Sequence, residues 1–188
     1  HYFIFCTIQD CVNGGVELEF ETKDSSIQFI TCDFFRLKSI NGGAFFITSP
    51  EPLLNGSKFS PLNINNCNFL RCSASDSGGS IYTKCDTFIE NCVFYDSICK
   101  NYGSFIYVGS QGTLFISTIS IDIAVKTHSL TAIHVADKTN LLVEGGCFST
   151  RDGVVRDQND NSPFFINFVS KGVVSLSDYG CYSRSIEE

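Results

Sequence analysis

Ten cysteines, three histidines and twenty acidic residues are the side chains of this 188-residue sequence that could do chemistry. A zinc site would show paired CxxC ligands or histidines at ligand spacing, and the pairs Cys6–Cys11, Cys67–Cys72 and Cys92–Cys99 offer neither. Glycosidic acid–base chemistry would need two converging carboxylates. Here Asp10, Asp33, Asp76, Asp96 and Asp122 read as scattered over different positions of the pattern traced below, with no Asp-Asp pair and no Gly-His-Gly string. Asp157 and Asp160, beside Asn159 and Asn161, read as a solvated loop before a calcium site. The expectation is therefore no catalytic residue, no metal and no cofactor. Asn55-Gly56-Ser57 is a candidate N-glycosylation sequon and favours a secreted context.

What positions these residues is a repeat. Segments beginning at Phe3, Phe29, Ile64, Ile89 and Ile116 align on one register position, which runs Cys6, Cys32, Cys67, Cys92 and Ile119 and is extended to Cys147 and Cys181. The steps are mostly 25–28 residues, and two long steps carry insertions, one spanning Ser49–Pro61 and one including Arg156–Ser162. A second landmark recurs after the first: Gly43 follows Cys32 by 11 residues, Gly79 follows Cys67 by 12 and Gly103 follows Cys92 by 11.

The units hold short alternating runs of Phe, Ile, Val, Thr and Tyr, broken by Gly, Asn, Ser and Asp, and none offers an amphipathic helical run. Cys32 with Phe34, Cys67 with Phe69, Cys92 with Phe94 and Ile119 with Ile121 share a parity and should face inward. Asp33, Asn68, Val93 and Ser120 between them should face out. Past the glycines, Phe45, Ile81, Phe105 and Ile133 form a second apolar column flanked by Ala44, Ser80, Ser104 and Ala132. Thr31, Asn66, Asn91 and Thr118 form a polar column suited to a corner, and Gly42-Gly43 and Gly78-Gly79 mark another. Short strands, sharp corners and like residues once per unit predict an all-β fold. It is a right-handed parallel β-helix of about six to seven turns with two inserted loops, forming one domain over 1–188. A β-sandwich is the competing fold, but it predicts no fixed register of both Cys and Gly.

Gly42-Gly43-Ala44-Phe45, with the variants Gly78-Gly79-Ser80-Ile81 and Tyr102-Gly103-Ser104-Phe105, resembles the GGA-hydrophobic motif of the chlamydial polymorphic membrane protein repeats and of related protozoan surface-protein repeats. The FxxN partner motif departs: Phe69 leads to Cys72 and Phe34 to Leu37. The resemblance spans roughly residues 3–135. It implies an extracellular, adhesin-like β-helical segment with no catalytic residues to carry over.

The cysteine ladder reads chiefly as small apolar packing, since Ile119 substitutes for Cys in it. Disulfides are the alternative, and Cys11, Cys72, Cys85 and Cys99, off the ladder, are then the better candidates. If Ile133 faces inward, His134 faces out on a column with Phe46, Tyr82 and Ile106. That candidate contact stripe fits a packed loop, a second subunit or a sugar; His128 is isolated. A net charge of −7 argues against nucleic acid, and no apolar run is long enough for a membrane helix. Beginning at His1 and lacking Met, the chain reads as a fragment or mature segment of a longer solenoid.

The functional expectation is a non-catalytic structural or adhesive β-helix at a cell surface or in an extracellular assembly, stacking end to end into a rod or fibre. Its partners would be other copies or neighbouring β-helical domains, with glycans or a host surface as further candidates. A carbohydrate-binding module or polysaccharide-active enzyme is the alternative, and an intracellular structural assembly is the alternative location.

Overall fold

The computed structural model describes residues 1–20, 26–48, 62–109, 113–123, 132–136, 139–150, 166–168 and 174–179; for 122–123, 146–150, 166–168 and 174–179 it is the backbone that is described. Every element among the described residues is a strand. The first turn runs through β1 (Tyr2–Ile4), β2 (Thr7–Gln9) and β3 (Val16–Glu19). The second comprises β4 (Ile27–Ile30), β5 (Asp33–Phe35), β6 (Lys38–Ser39) and β7 (Phe45–Thr48). The third comprises β8 (Leu62–Asn65), β9 (Asn68–Leu70), β10 (Ser73–Ala74) and β11 (Ile81–Thr83). The fourth comprises β12 (Thr87–Glu90), β13 (Val93–Tyr95), β14 (Ile98–Cys99) and β15 (Ile106–Val108). Then follow β16 (Thr113–Ile123), β17 (Ile133–Val135), β18 (Asn140–Thr150), β19 (Ile166–Phe168) and β20 (Val174–Tyr179).

Each strand pairs in parallel with its counterpart one turn away, so the chain is a β-solenoid, as its repeat predicts. The turn count differs from the expected six to seven. About four turns make the circuit, and β16 to β20 continue three of the four stacks. One stack is β1-β4-β8-β12-β16-β18-β20. A second is β2-β5-β9-β13, which the long β16 joins to the first. The others are β6-β10-β14 and β3-β7-β11-β15-β17-β19.

Two corners are built from residues in the left-handed region. Phe5, Thr31, Asn66, Asn91 and Thr118 have φ between 51° and 55°, and the Asn66 amide donates to Thr31 Oγ1 at 3.1 Å, which is the polar corner column read in the sequence. Four positions past the cysteine ladder lies a second such column: Asp10, Arg36, Arg71 and Asp96, with φ from 50° to 58°. One left-handed residue between two short strands bends the chain without ending either stack, and among residues other than glycine Asn and Asp tolerate that conformation best.

The third corner corrects the sequence alignment. The left-handed glycine is the first of each pair, Gly42 and Gly78, and it matches Gly103. A Cβ at Gly103 would run into the Ile106 carbonyl. Anchoring Gly103 to Gly43 and Gly79 therefore shifts the fourth turn by one residue. The inward column is Phe45, Ile81, Ile106 and Ile133. Phe105 flanks it in place of Ser104, and is itself fully buried.

Inside, Phe34, Phe69 and Phe94 stack face to face, at 4.9 Å and then 4.5 Å between centroids, and Phe29 and Phe45 meet Phe34 edge-on. Alternating burial along β7, β8 and β12 matches the period-two pattern of the sequence. This aromatic spine, with the Ile columns, is the core.

Candidate functional site

The registers on either side set Cys6, Cys32, Cys67, Cys92 and Ile119 at one position of successive turns. The ladder does not reach Cys147. The backbone sets Gly146 opposite Ile119 and Cys147 opposite Ser120, because Gly145, with φ 78°, takes the corner place opposite Thr118. Cys181 lies outside the described residues, as do Asn55, His128, Asp157, Asp160 and both insertions.

All eight cysteines whose side chains are described are free thiols, and six are buried. Their local chemistry shows why the position takes sulfur. Just past each left-handed corner, the thiol lies against the carbonyl two residues back: Cys32 to Ile30 O at 3.4 Å, Cys67 to Asn65 O at 3.2 Å, Cys92 to Glu90 O at 3.1 Å. A second carbonyl from the preceding turn lies within 3.6 Å of each. Cysteine here is a small apolar filler with a weak donor. The Cys92 thiol and burial together push the Cys67 thiol upward, so it stays protonated. Off the ladder, Cys11 and Cys72 belong to a second inward column with Leu37 between them and Ser97 beyond, as the bonds from Lys38 N–H to Cys11 O, Ser73 N–H to Leu37 O and Ile98 N–H to Cys72 O show. Cys85 sits in a buried knot with Thr83 and Thr87, and Cys99 pairs in register with Ala74.

The contact stripe is corrected at one place. Phe46, Tyr82 and His134 do share an outward column, but Ile106 faces the core, fully buried, and Tyr107 takes the outward position. The rings stack on one another: Phe46 to Tyr82 at 5.2 Å, Tyr82 to Tyr107 at 4.7 Å and 11°, Tyr107 to His134 at 5.3 Å and 5°. Tyr102 closes on His134 at 4.7 Å. His134 is 5% exposed, its Nδ1 has no partner, and burial holds its pKa below the ordinary imidazole value. Burial and the Asp76 carboxylate raise Tyr82 and Tyr107, and Lys84 Nζ lies 5.8 Å from the Tyr82 centroid. Because the π-faces are spent within the stack, they are closed to a ligand along most of the stripe.

The aspartates are less scattered than they read. Asp10 and Asp96 share the second corner column and bracket Arg36 and Arg71. Arg36 donates to Asp10 at 2.6 Å through both Nε and Nη2, and Arg71 Nε lies 3.6 Å from Asp96. Asp86 instead accepts the Thr113 N–H at 2.6 Å, and its burial raises its pKa. Among the described residues no cluster of three His, Cys, Asp or Glu side chains is arranged to hold a metal ion.

Sequence reasoning missed two features of the first turn. Cys11 to Val16 takes five residues where the matching Leu37 to Phe45 takes eight, so among the described residues the first turn has no strand to pair with β6 and the chain cuts the corner. The notch left there has a volume of about 590 Å³ and is walled in part by Asn13, Lys38, Asn41 and Phe46; Asn41 Oδ1 is buried without a partner. The first turn is also apolar on its outside. Tyr2, Ile4 and Phe5 are 69%, 50% and 79% exposed, at the register positions where the third turn carries Asn63, Asn65 and Asn66. The three apolar residues were visible in the sequence, but the column comparison that exposes them needs the register of β1.

Comparison with protein-family profiles, with curated proteins and with solved structures returns no match. The fold defines the class, a parallel β-solenoid.

Proposed function

We propose that the protein is a non-catalytic structural or adhesive β-solenoid whose first turn docks against a further β-solenoid turn, from another copy or a neighbouring domain, to build a longer rod. The observation that carries this is the exposure of three large apolar side chains, Tyr2, Ile4 and Phe5, together at one end. An apolar side chain as large as Phe5, held at φ 53° and 79% exposed, is costly in isolation and gains from being covered. Beneath it, among the described residues, β1, β2 and β3 each have a strand on one side only, so their outer N–H and C=O groups are an open template for pairing. Cys6, Ile8, Cys11, Val16 and Leu18, inward by register, stay only partly covered for the same reason.

Sedimentation over a range of protein concentrations tests this. The wild type should assemble, and the triple variant Tyr2→Asn, Ile4→Asn, Phe5→Asn should stay monomeric with its strand signal intact. A wild type that remains monomeric at every concentration would remove a second copy as the source of the docked turn.

The proposed setting is a cell surface or extracellular assembly, which rests on the resemblance of the repeats. Eight free thiols are compatible with a reducing compartment as well as an oxidising one. Mass spectrometry of protein from its native source, read for a glycan at Asn55, separates these locations.

A further inference from the structure

We propose that the notch beside Phe46 binds a neutral saccharide. The inference rests on the end of the ring stack. In a column of stacked rings only a terminal ring keeps a free face. Toward the first turn the column passes from Phe46 to Glu17, so among the described residues no ring stacks on Phe46 on that side. Phe46 is also tilted 32° from Tyr82, where the next two ring pairs are tilted by 11° and 5°. It forms part of the wall of the 590 Å³ notch. That volume lies within the range of about 300–1,000 Å³ typical of small-molecule sites.

The remaining walls suit a polyhydroxyl ligand. Asn13, Ser39 and Ser75 supply side chains that both donate and accept. Lys38 and Glu17 contribute one charge of each sign, so the notch has no net formal charge and favours a neutral occupant over an anion or a cation. A pyranose matches both halves of this surface. Its axial C–H groups form an apolar patch that lies against the negative face of an aromatic ring, and its equatorial hydroxyls reach amides and hydroxyls at the rim. Val12 and Ile40, 74% and 71% exposed, stand at the notch and would shield the sugar edges from water. First-turn residues line half of the notch, so it adjoins the docking end. Sugar binding is therefore read at a protein concentration where the chain sediments as a monomer, and the two readings then fail separately.

Saturation-transfer NMR on the folded chain with cellobiose, maltose, lactose and chitobiose tests the proposal. At least one disaccharide should receive saturation on its ring C–H protons. Phe46→Ala should weaken that binding at least tenfold, Asn13→Ala at least threefold, and Phe88→Ala, in the Phe88–Phe115 stack on another face, not at all. If Phe46→Ala does not fold, Asn13→Ala and Lys38→Ala decide. No transfer to any of the four sugars would overturn the proposal, as would transfer unchanged in the notch variants. Perturbation of Phe46 that follows protein concentration instead of sugar would assign the notch to a second copy and overturn it equally.

Discussion

The Cys67 thiol lies 3.2 Å from the carbonyl oxygen of Asn65, two residues back across the left-handed corner at Asn66. The same relation recurs at Cys32 and Cys92, so the ladder caps a row of corners from inside. Cys67→Ala removes both the donor and the sulfur volume. It should lower the unfolding free energy by about 1–2 kcal/mol in urea titration, with the slope unchanged.

Thiol accessibility should be graded along the rod. Cys6 and Cys11 are partly covered and should react first with an aromatic disulfide reagent in native buffer. Cys32, Cys67, Cys72, Cys85, Cys92 and Cys99 should react only as the chain opens. Peptide mapping after a brief alkylation pulse checks this. Early modification of Cys92 ahead of Cys6 would contradict the stacking order.

Alkaline pH should weaken the fold through Cys72 and Cys85. Burial pushes both thiols up to about 11 from an ordinary value of 9.0. The folded state therefore holds these protons more tightly than the unfolded chain. The contribution is complete below pH 9 and is lost as pH rises through 11, at about 1.4 kcal/mol per pH unit per thiol. Thermal melts from pH 8 to 11 should fall more steeply than those of a Cys72→Ala, Cys85→Ala double variant.

Two glycines with similar φ should differ in tolerance. Gly103, at φ 66°, has the Ile106 carbonyl where a Cβ would go, whereas at Gly145, φ 78°, the nearest atom is Thr118 N at 3.9 Å. Gly145→Ala should cost about 1–2 kcal/mol of backbone strain. Gly103→Ala should cost more, because the backbone of β15 must move. Comparative chemical unfolding of the two variants measures the difference.

The Arg36–Asp10 pair should contribute little to folding although it is bidentate. Both side chains are more than half exposed, at 56% and 53%. Asp10→Asn should leave the melting temperature nearly unchanged at moderate salt. A large fall would mean the corner column is coupled to something beyond this pair.

The sequence exposes the solenoid because stacking copies chemistry. A position that faces the axis in one turn faces it in the next, so Phe34, Phe69 and Phe94 recur in step and their parity separates inside from outside. Two errors of register arise where residue type and backbone role part company. Gly43 and Gly103 are the same residue, but φ distinguishes them, and φ is not written in the letters. Cys147 looks like the next ladder member, yet Gly145 occupies the corner one residue earlier than a cysteine-based alignment assumes. The second inward column, Cys11, Leu37, Cys72 and Ser97, mixes types and so leaves no signature. The notch beside Phe46 depends on three missing residues in one turn, and only the paired strands on either side reveal the shortfall.

The third and fourth turns are related by one constant offset: Asn65 pairs with Glu90, Phe69 with Phe94, Ala74 with Cys99 and Ile81 with Ile106, each 25 residues apart. A segment of that length can be cut out or duplicated and every ladder closes again, about 4.8 Å shorter or longer. A single inserted residue has no such solution, since it turns the next strand inside out. Such a rod can change its reach in whole steps without redesigning its interior, which makes length the property that duplication can tune most freely.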